Sequence, residues 1–152
     1  MSSSEQLNFN APHAPQSNAI EAFNIILSTI KQEVIKSRND WDKHEPRMWS
    51  RATGLSDAEL TSFSIEKDLV EVRSAATTYG TIILGKIRLP AVQDGAGEGF
   101  LHVRIHDPPN RGAEDIIFHS LFTDEIRDEP NSQPIGYCAI QTVEKPLRFF
   151  NE

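Results

Sequence analysis

The sequence predicts an α+β domain: one long helix laid across a four- to five-stranded antiparallel sheet. Two observations carry this. A single apolar stripe at helical spacing occupies residues 17–37, and from Thr61 onward the apolar residues recur with a period of two. The order, one helix and then strands joined by hairpins, lets the helix stripe and the inward strand faces bury each other.

The helix is read first. Ile20, Phe23, Leu27, Ile30 and Val34 recur at intervals of three and four, with Glu21, Lys31, Gln32, Glu33 and Lys36 largely off that line. Asn18 and Glu21 have capping-box spacing, with Ser17 as the other candidate cap. The predicted helix runs from about Ser17 to Ser37, and Arg38-Asn39-Asp40 ends it.

Ahead of it, residues 1–16 are rich in Ser, Asn, Gln and Pro and read as a flexible polar tail. Residues 17–152 form the domain, with an insertion at 38–60 and a C-terminal extension at 138–152. In the insertion, Trp41 and Trp49 anchor a long connection. Ser56-Asp57-Ala58-Glu59 is a short capped helical turn.

Strands are expected at 61–74 (Phe63, Ile65, Leu69, Val70, Val72) and at 78–89, where Gly85 marks a bulge or the close approach of another element. Pro90 to Gly99 reads as a loop. Phe100 to His106 alternates Leu101, Val103 and Ile105 against His102, Arg104 and His106. Asp107 to Gly112 is a turn, 115–123 a strand, 124–134 an acidic loop and 135–143 the last strand. Lys145 to Phe150 is a tail apolar enough to dock.

Composition narrows the function. The 152 residues carry a net charge of −7, with Asp and Glu numbering 22 against 15 Lys and Arg. Such a chain repels phosphate backbones, and Lys43, Arg47 and Arg51 make no stripe, so nucleic acid is not an expected partner. No apolar run approaches the roughly 20 residues of a spanning helix, so no membrane is expected either. One cysteine, Cys138, forms no internal disulfide, and no secretory signal is read at the N-terminus. Both point to the cytoplasm. Cys138 lies in a strand-like run and reads as an inert small hydrophobe.

His102 and His106 share a face but stand roughly 13 Å apart by strand rise, so they do not ligate one ion together. Adding His119 leaves too few ligands for zinc, and no metal or cofactor is expected. These histidines read as sheet-surface residues. No phosphate loop or nucleophile elbow is present.

The order of elements resembles the stefins, the intracellular cystatins: a polar trunk, one helix, and an antiparallel sheet without disulfides. Phe100-Leu101-His102-Val103-Arg104-Ile105-His106 is similar to the family's aromatic-x-His-Leu-x-Val-Phe strand. Pro108-Pro109 stands where the family has a Leu-Pro hairpin. Ala76-Thr77-Thr78-Tyr79-Gly80 stands at the family's Gln-x-Val-x-Gly hairpin, keeping the glycine but with Ala76 for Gln and Thr78 for Val. The resemblance covers residues 17–37 and 61–137.

It implies a cystatin-like fold and reversible, cleft-blocking inhibition of a papain-like cysteine protease. Asn8 to Pro15 would be the trunk, kept extended by Pro12 and Pro15. Residues 76–80 would be the first tip, with Gly80 allowing close approach to the protease wall. Pro108-Pro109 would be a rigid second tip. No residue is then catalytic. Two other readings stand beside it: a non-inhibitory protein-interaction module on the same fold, and a small hot-dog or cone-shaped enzyme or ligand carrier. The last would need a pocket between helix and sheet with a His or Asp pointing inward, His119 being the residue to look for. Oligomeric state is not read from the sequence.

Overall fold

Ser17 to Trp41 is helical in two pieces, α1 (Ser17–Ile25) and α2 (Leu27–Trp41), in the computed structural model, which describes residues 8–41, 46–95, 97–111 and 115–150. Ile26 separates them, with φ −108° and ψ 21°. The expected single helix is thus broken at Ile26. The break shifts the buried stripe. Ala19, Ala22 and Phe23 face inward before it; Ile26, Ile30, Val34 and Arg38 follow at intervals of four. Ile20 and Leu27 are left half-buried at the margin.

The expected cap is also corrected. Gln16 is the N-cap and makes no side-chain bond. Glu21 instead accepts from Arg111 Nη1 at 2.7 Å.

α2 continues past Ser37 because Arg38 has partners in the insertion. Its guanidinium donates to the Leu55 carbonyl at 2.7 Å and pairs with Asp57. A 3₁₀ segment (Pro46–Ala52) buries Met48, Trp49 and Ala52. Trp49 Nε1 donates to Ser37 Oγ at 3.0 Å, so this tryptophan anchors the insertion, whereas Trp41 is 39% exposed. Ser56 and Glu59 form the predicted capping box at the start of α3 (Asp57–Leu60).

Residues 61–68 are not strand. They turn into a second short helix, α4 (Ile65–Asp68). Buried Asp68 accepts from the Ser64 amide and from Arg88 Nε, both at 2.9 Å, and this local bonding outcompetes extension. Phe63 and Ile65 are buried nonetheless.

The sheet is an antiparallel meander in the order β1 (Leu69–Thr77), β2 (Gly80–Asp94), β3 (Gly97–Asp107), β4 (Ile117–Leu121). β5 (Asp124–Ile126) and β6 (Gly136–Cys138) form a separate small hairpin, so the last strand is shorter than expected. The expected loop at 90–99 is the β2–β3 hairpin. Pairing jumps from Leu89–Gly99 to Gln93–Glu98, and Pro90 sits exposed in the bulge, where it owes no ladder bond.

Part of the expected tail is ordered. The His13 amide donates to the Val72 carbonyl (3.1 Å), the Val72 amide to the His13 carbonyl (2.9 Å), and the Asn10 amide to the Ser74 carbonyl. Residues 8–13 therefore cover the free edge of β1. Residues 1–7 lie outside the described ones.

Both sheet faces are covered. Toward the helices, Ile83, Ile87, Leu89, Leu101, Val103 and Ile105 meet Phe23, Ile30 and Val34. Gly85 is the close approach: a Cβ there would stand 2.5 Å from Phe23 Cζ. On the outer face Ala75, Ile82 and Leu84 lie under Leu147 and Phe150 of the C-terminal segment. The tail docks, as its composition predicts.

Candidate functional site: the turn end of the sheet

Thr77 and Gly80 pair across a two-residue turn, Thr78-Tyr79. Thr77 Oγ1 accepts the Tyr79 amide at 3.2 Å. This ties down the backbone and leaves the Tyr79 ring 77% exposed, the most exposed large apolar side chain among the described residues. Ala76 and Thr78 are exposed beside it.

Thr81 pairs with Asp107, which brings the end of β3 against this turn. Pro108 and Pro109 follow at once. The two predicted tips are thus neighbours. A Cβ on Gly80 would lie 2.3 Å from the Asp107 carbonyl and 3.1 Å from Pro108 Cα. Gly80 has φ +144°. Its glycine is thus demanded from inside the protein. Pro108 is buried in this contact, so only Pro109 projects.

Arg111 fastens the second turn to the helix. It donates to both Asp107 carboxylate oxygens (2.9 and 2.8 Å), to Glu21, and to the Asn18 carbonyl at 3.0 Å. The hydrogen bonds it donates to Asp107 are the main cause that raises the pKa of Arg111.

The two prolines of the N-terminal segment differ in place. His13 lies opposite Val72, which places Pro12 beside Arg73, roughly 13 Å along β1 from Thr77, while Pro15 lines a cavity together with Thr81 and Asp107. Because the segment runs antiparallel to β1, its leading residues, Asn8 and Phe9, are those nearest the turn end. Between this segment, the start of α1 and the sheet lies a cavity of about 670 Å³, lined by Asn10, His13, Gln16, Thr81 and Asp107 among others.

Of the three sheet histidines only His102 is buried; His106 and His119 are half-buried. His102 is 1% exposed and stacks on Phe122 at 5.8 Å. Burial first, then the Lys86 and Lys145 charges, push its pKa down to about 3. His106 stacks on His119 at 6.0 Å, and His119 Nδ1 accepts from Arg104 Nε at 3.0 Å. His119 thus bonds the outer-face arginine, and it is also among the residues lining a cavity of about 310 Å³ between α2 and β4. Among the described residues no three His, Cys, Asp or Glu side chains gather as a metal site. Cys138 is half-buried, and desolvation raises its thiol pKa.

The acidic loop is partly tied down. Asp124 pairs with Lys145 at 2.9 Å, and Glu125 pairs with Arg127.

No family model, no curated protein and no solved structure matches this chain. Among the described residues no helix is long and apolar enough to cross a membrane.

Sequence reasoning missed the three outer-face cations, Arg73, Lys86 and Arg104. Their side chains donate to carbonyls of the C-terminal segment. The aromatic, apolar tail was the available signal that this face is covered.

Proposed function

We propose that this chain is a protein-binding module on a cystatin-like fold that engages its partner with the turn end of the sheet. Most concretely, it is a reversible inhibitor that blocks the cleft of a papain-like cysteine protease and supplies no catalytic group. One observation carries the reading: the Thr78-Tyr79 turn and the Pro108-Pro109 turn abut through Gly80 and Asp107, with the N-terminal segment directed toward the same end. A rigid row of three elements suits insertion into a cleft, because little ordering remains to be done on binding. The same reading takes the protein to be cytoplasmic, in keeping with a single unpaired cysteine.

The test is a titration of active papain with the purified chain, following residual activity and the integrity of the chain. Stoichiometric loss of activity with the chain uncut is the expected result. Undiminished activity at tens of micromolar, weaker than roughly −7 kcal/mol of binding, sinks protease inhibition for this enzyme.

A second reading, a non-inhibitory interaction module, is favoured by Tyr79. An exposed aromatic ring on a backbone-tied turn is a natural anchor for a partner's pocket. It stands beside Ala76 and Thr78, which differ from the inhibitory hairpin.

A further inference from the structure

The outer face of the sheet holds its covering segment in an unusual way. Lys86 Nζ donates to the carbonyls of Val143 (2.6 Å) and Lys145 (3.0 Å). Arg73 Nη1 donates to the Leu147 carbonyl (2.9 Å), and Arg104 Nη1 to the Phe150 carbonyl (2.6 Å). Lys86 and Arg104 are buried, and the Lys86 ammonium also lies over the Phe100 ring.

Leu147 and Phe150 fill apolar sockets over Ala75, Ile82 and Leu84, a cluster separate from the helix-side core. Phe149 lies over the Arg104 guanidinium at 5.2 Å. Among the described residues, no amide of 147–150 donates to a main-chain carbonyl. The segment is therefore gripped by side chains and two plugs, not laddered into the sheet.

This is how a receptor holds an extended peptide: donors for the carbonyls and sockets for alternate side chains. The hinge is also present. Gln141 is bridged to Phe100, and the Lys145 amide closes a turn onto the Thr142 carbonyl, with Val143 and Glu144 exposed. Opening that turn and the Lys145–Asp124 pair lets residues 145–150 leave without disturbing the helix-side core. Residues 142–150 then reach roughly 30 Å when extended.

We propose that the outer face is a peptide-binding groove which the chain fills with its own residues 145–150, and that it takes the same segment from a second copy, joining chains tail to groove. The occupant follows from fit: this segment matches the carbonyl donors and both sockets. The groove lies on the face of the sheet, so the proposal stands whether or not the turn end binds a protease.

Complementation of two full-length variants tests it. L147S/F150S has an intact groove and a disabled tail. A75R fills the socket and leaves the tail intact but unseated. Each alone is expected to sediment as a monomer. Mixed, they are expected to form a one-to-one dimer with a dissociation constant on the order of tens of micromolar. Folded variants that stay monomeric when mixed at about 0.5 mM overturn the proposal, because neither then has a competing internal partner.

If either variant fails to fold by circular dichroism, the wild-type chain decides. A synthetic 142–150 peptide is added at several millimolar, since the tethered segment competes at an effective concentration on the order of millimolar. Perturbed Leu84 methyl signals are expected, and unchanged ones overturn the groove.

Discussion

The carbonyl oxygen of Asp107 stands 2.3 Å from where a Cβ on Gly80 would be. One missing side chain thereby lets two hairpin turns share a surface. Gly80→Ala must both adopt φ +144° and push β3 away. The expected loss is about 2–4 kcal/mol in urea unfolding. Gly54→Ala, at φ +85° in open space, is the control and should cost only about 1 kcal/mol. Equal losses would show that the Asp107 contact does not matter.

Tyr79→Ala separates stability from binding. The ring is 77% exposed, so the unfolding free energy should stay within about 0.5 kcal/mol of wild type. Affinity for a partner held by the turn end should fall by about 30-fold or more. Calorimetric titration of any captured partner reads this directly. An unchanged affinity would remove Tyr79 from the interface.

Gly85 and Phe23 should be coupled. Gly85→Ala places a methyl 2.5 Å from Phe23 Cζ and is expected to cost about 1–3 kcal/mol. Phe23→Leu withdraws the ring. The double variant should therefore be more stable than the sum of the two losses predicts, by about 1 kcal/mol. Additive losses would argue against the contact.

His102 makes stability depend on pH. Its pKa falls from an ordinary 6.5 to about 3 in the folded chain. The unfolded chain therefore binds the proton more readily between those values. The stabilising contribution is complete above pH 6.5 and declines as pH falls toward 3, by up to about 1.4 kcal/mol per pH unit. His102→Phe should flatten the urea-midpoint profile between pH 6.5 and 4.5. An unchanged slope in that window would show that His102 is not its source.

The sequence by itself determined the class and much of the order of elements: a helix stripe, then a capped turn at 56–59, then period-two strands with a turn after Asp107. These are local signals, readable from spacing and turn chemistry alone. It also marked Gly85 as a bulge or a close approach, of which the second holds, and the tail as apolar enough to dock.

The tertiary structure decided the rest. Asp68 found Arg88 and turned an expected strand into a helix. The β1 edge needed pairing and drew in residues 8–13 of the expected flexible tail. His102 and Arg104 alternate as a solvent face should, yet the tail bonds and covers that face. Period two reports that a strand has two faces. What lies against each face depends on residues forty or more positions away, whose contacts leave no local pattern.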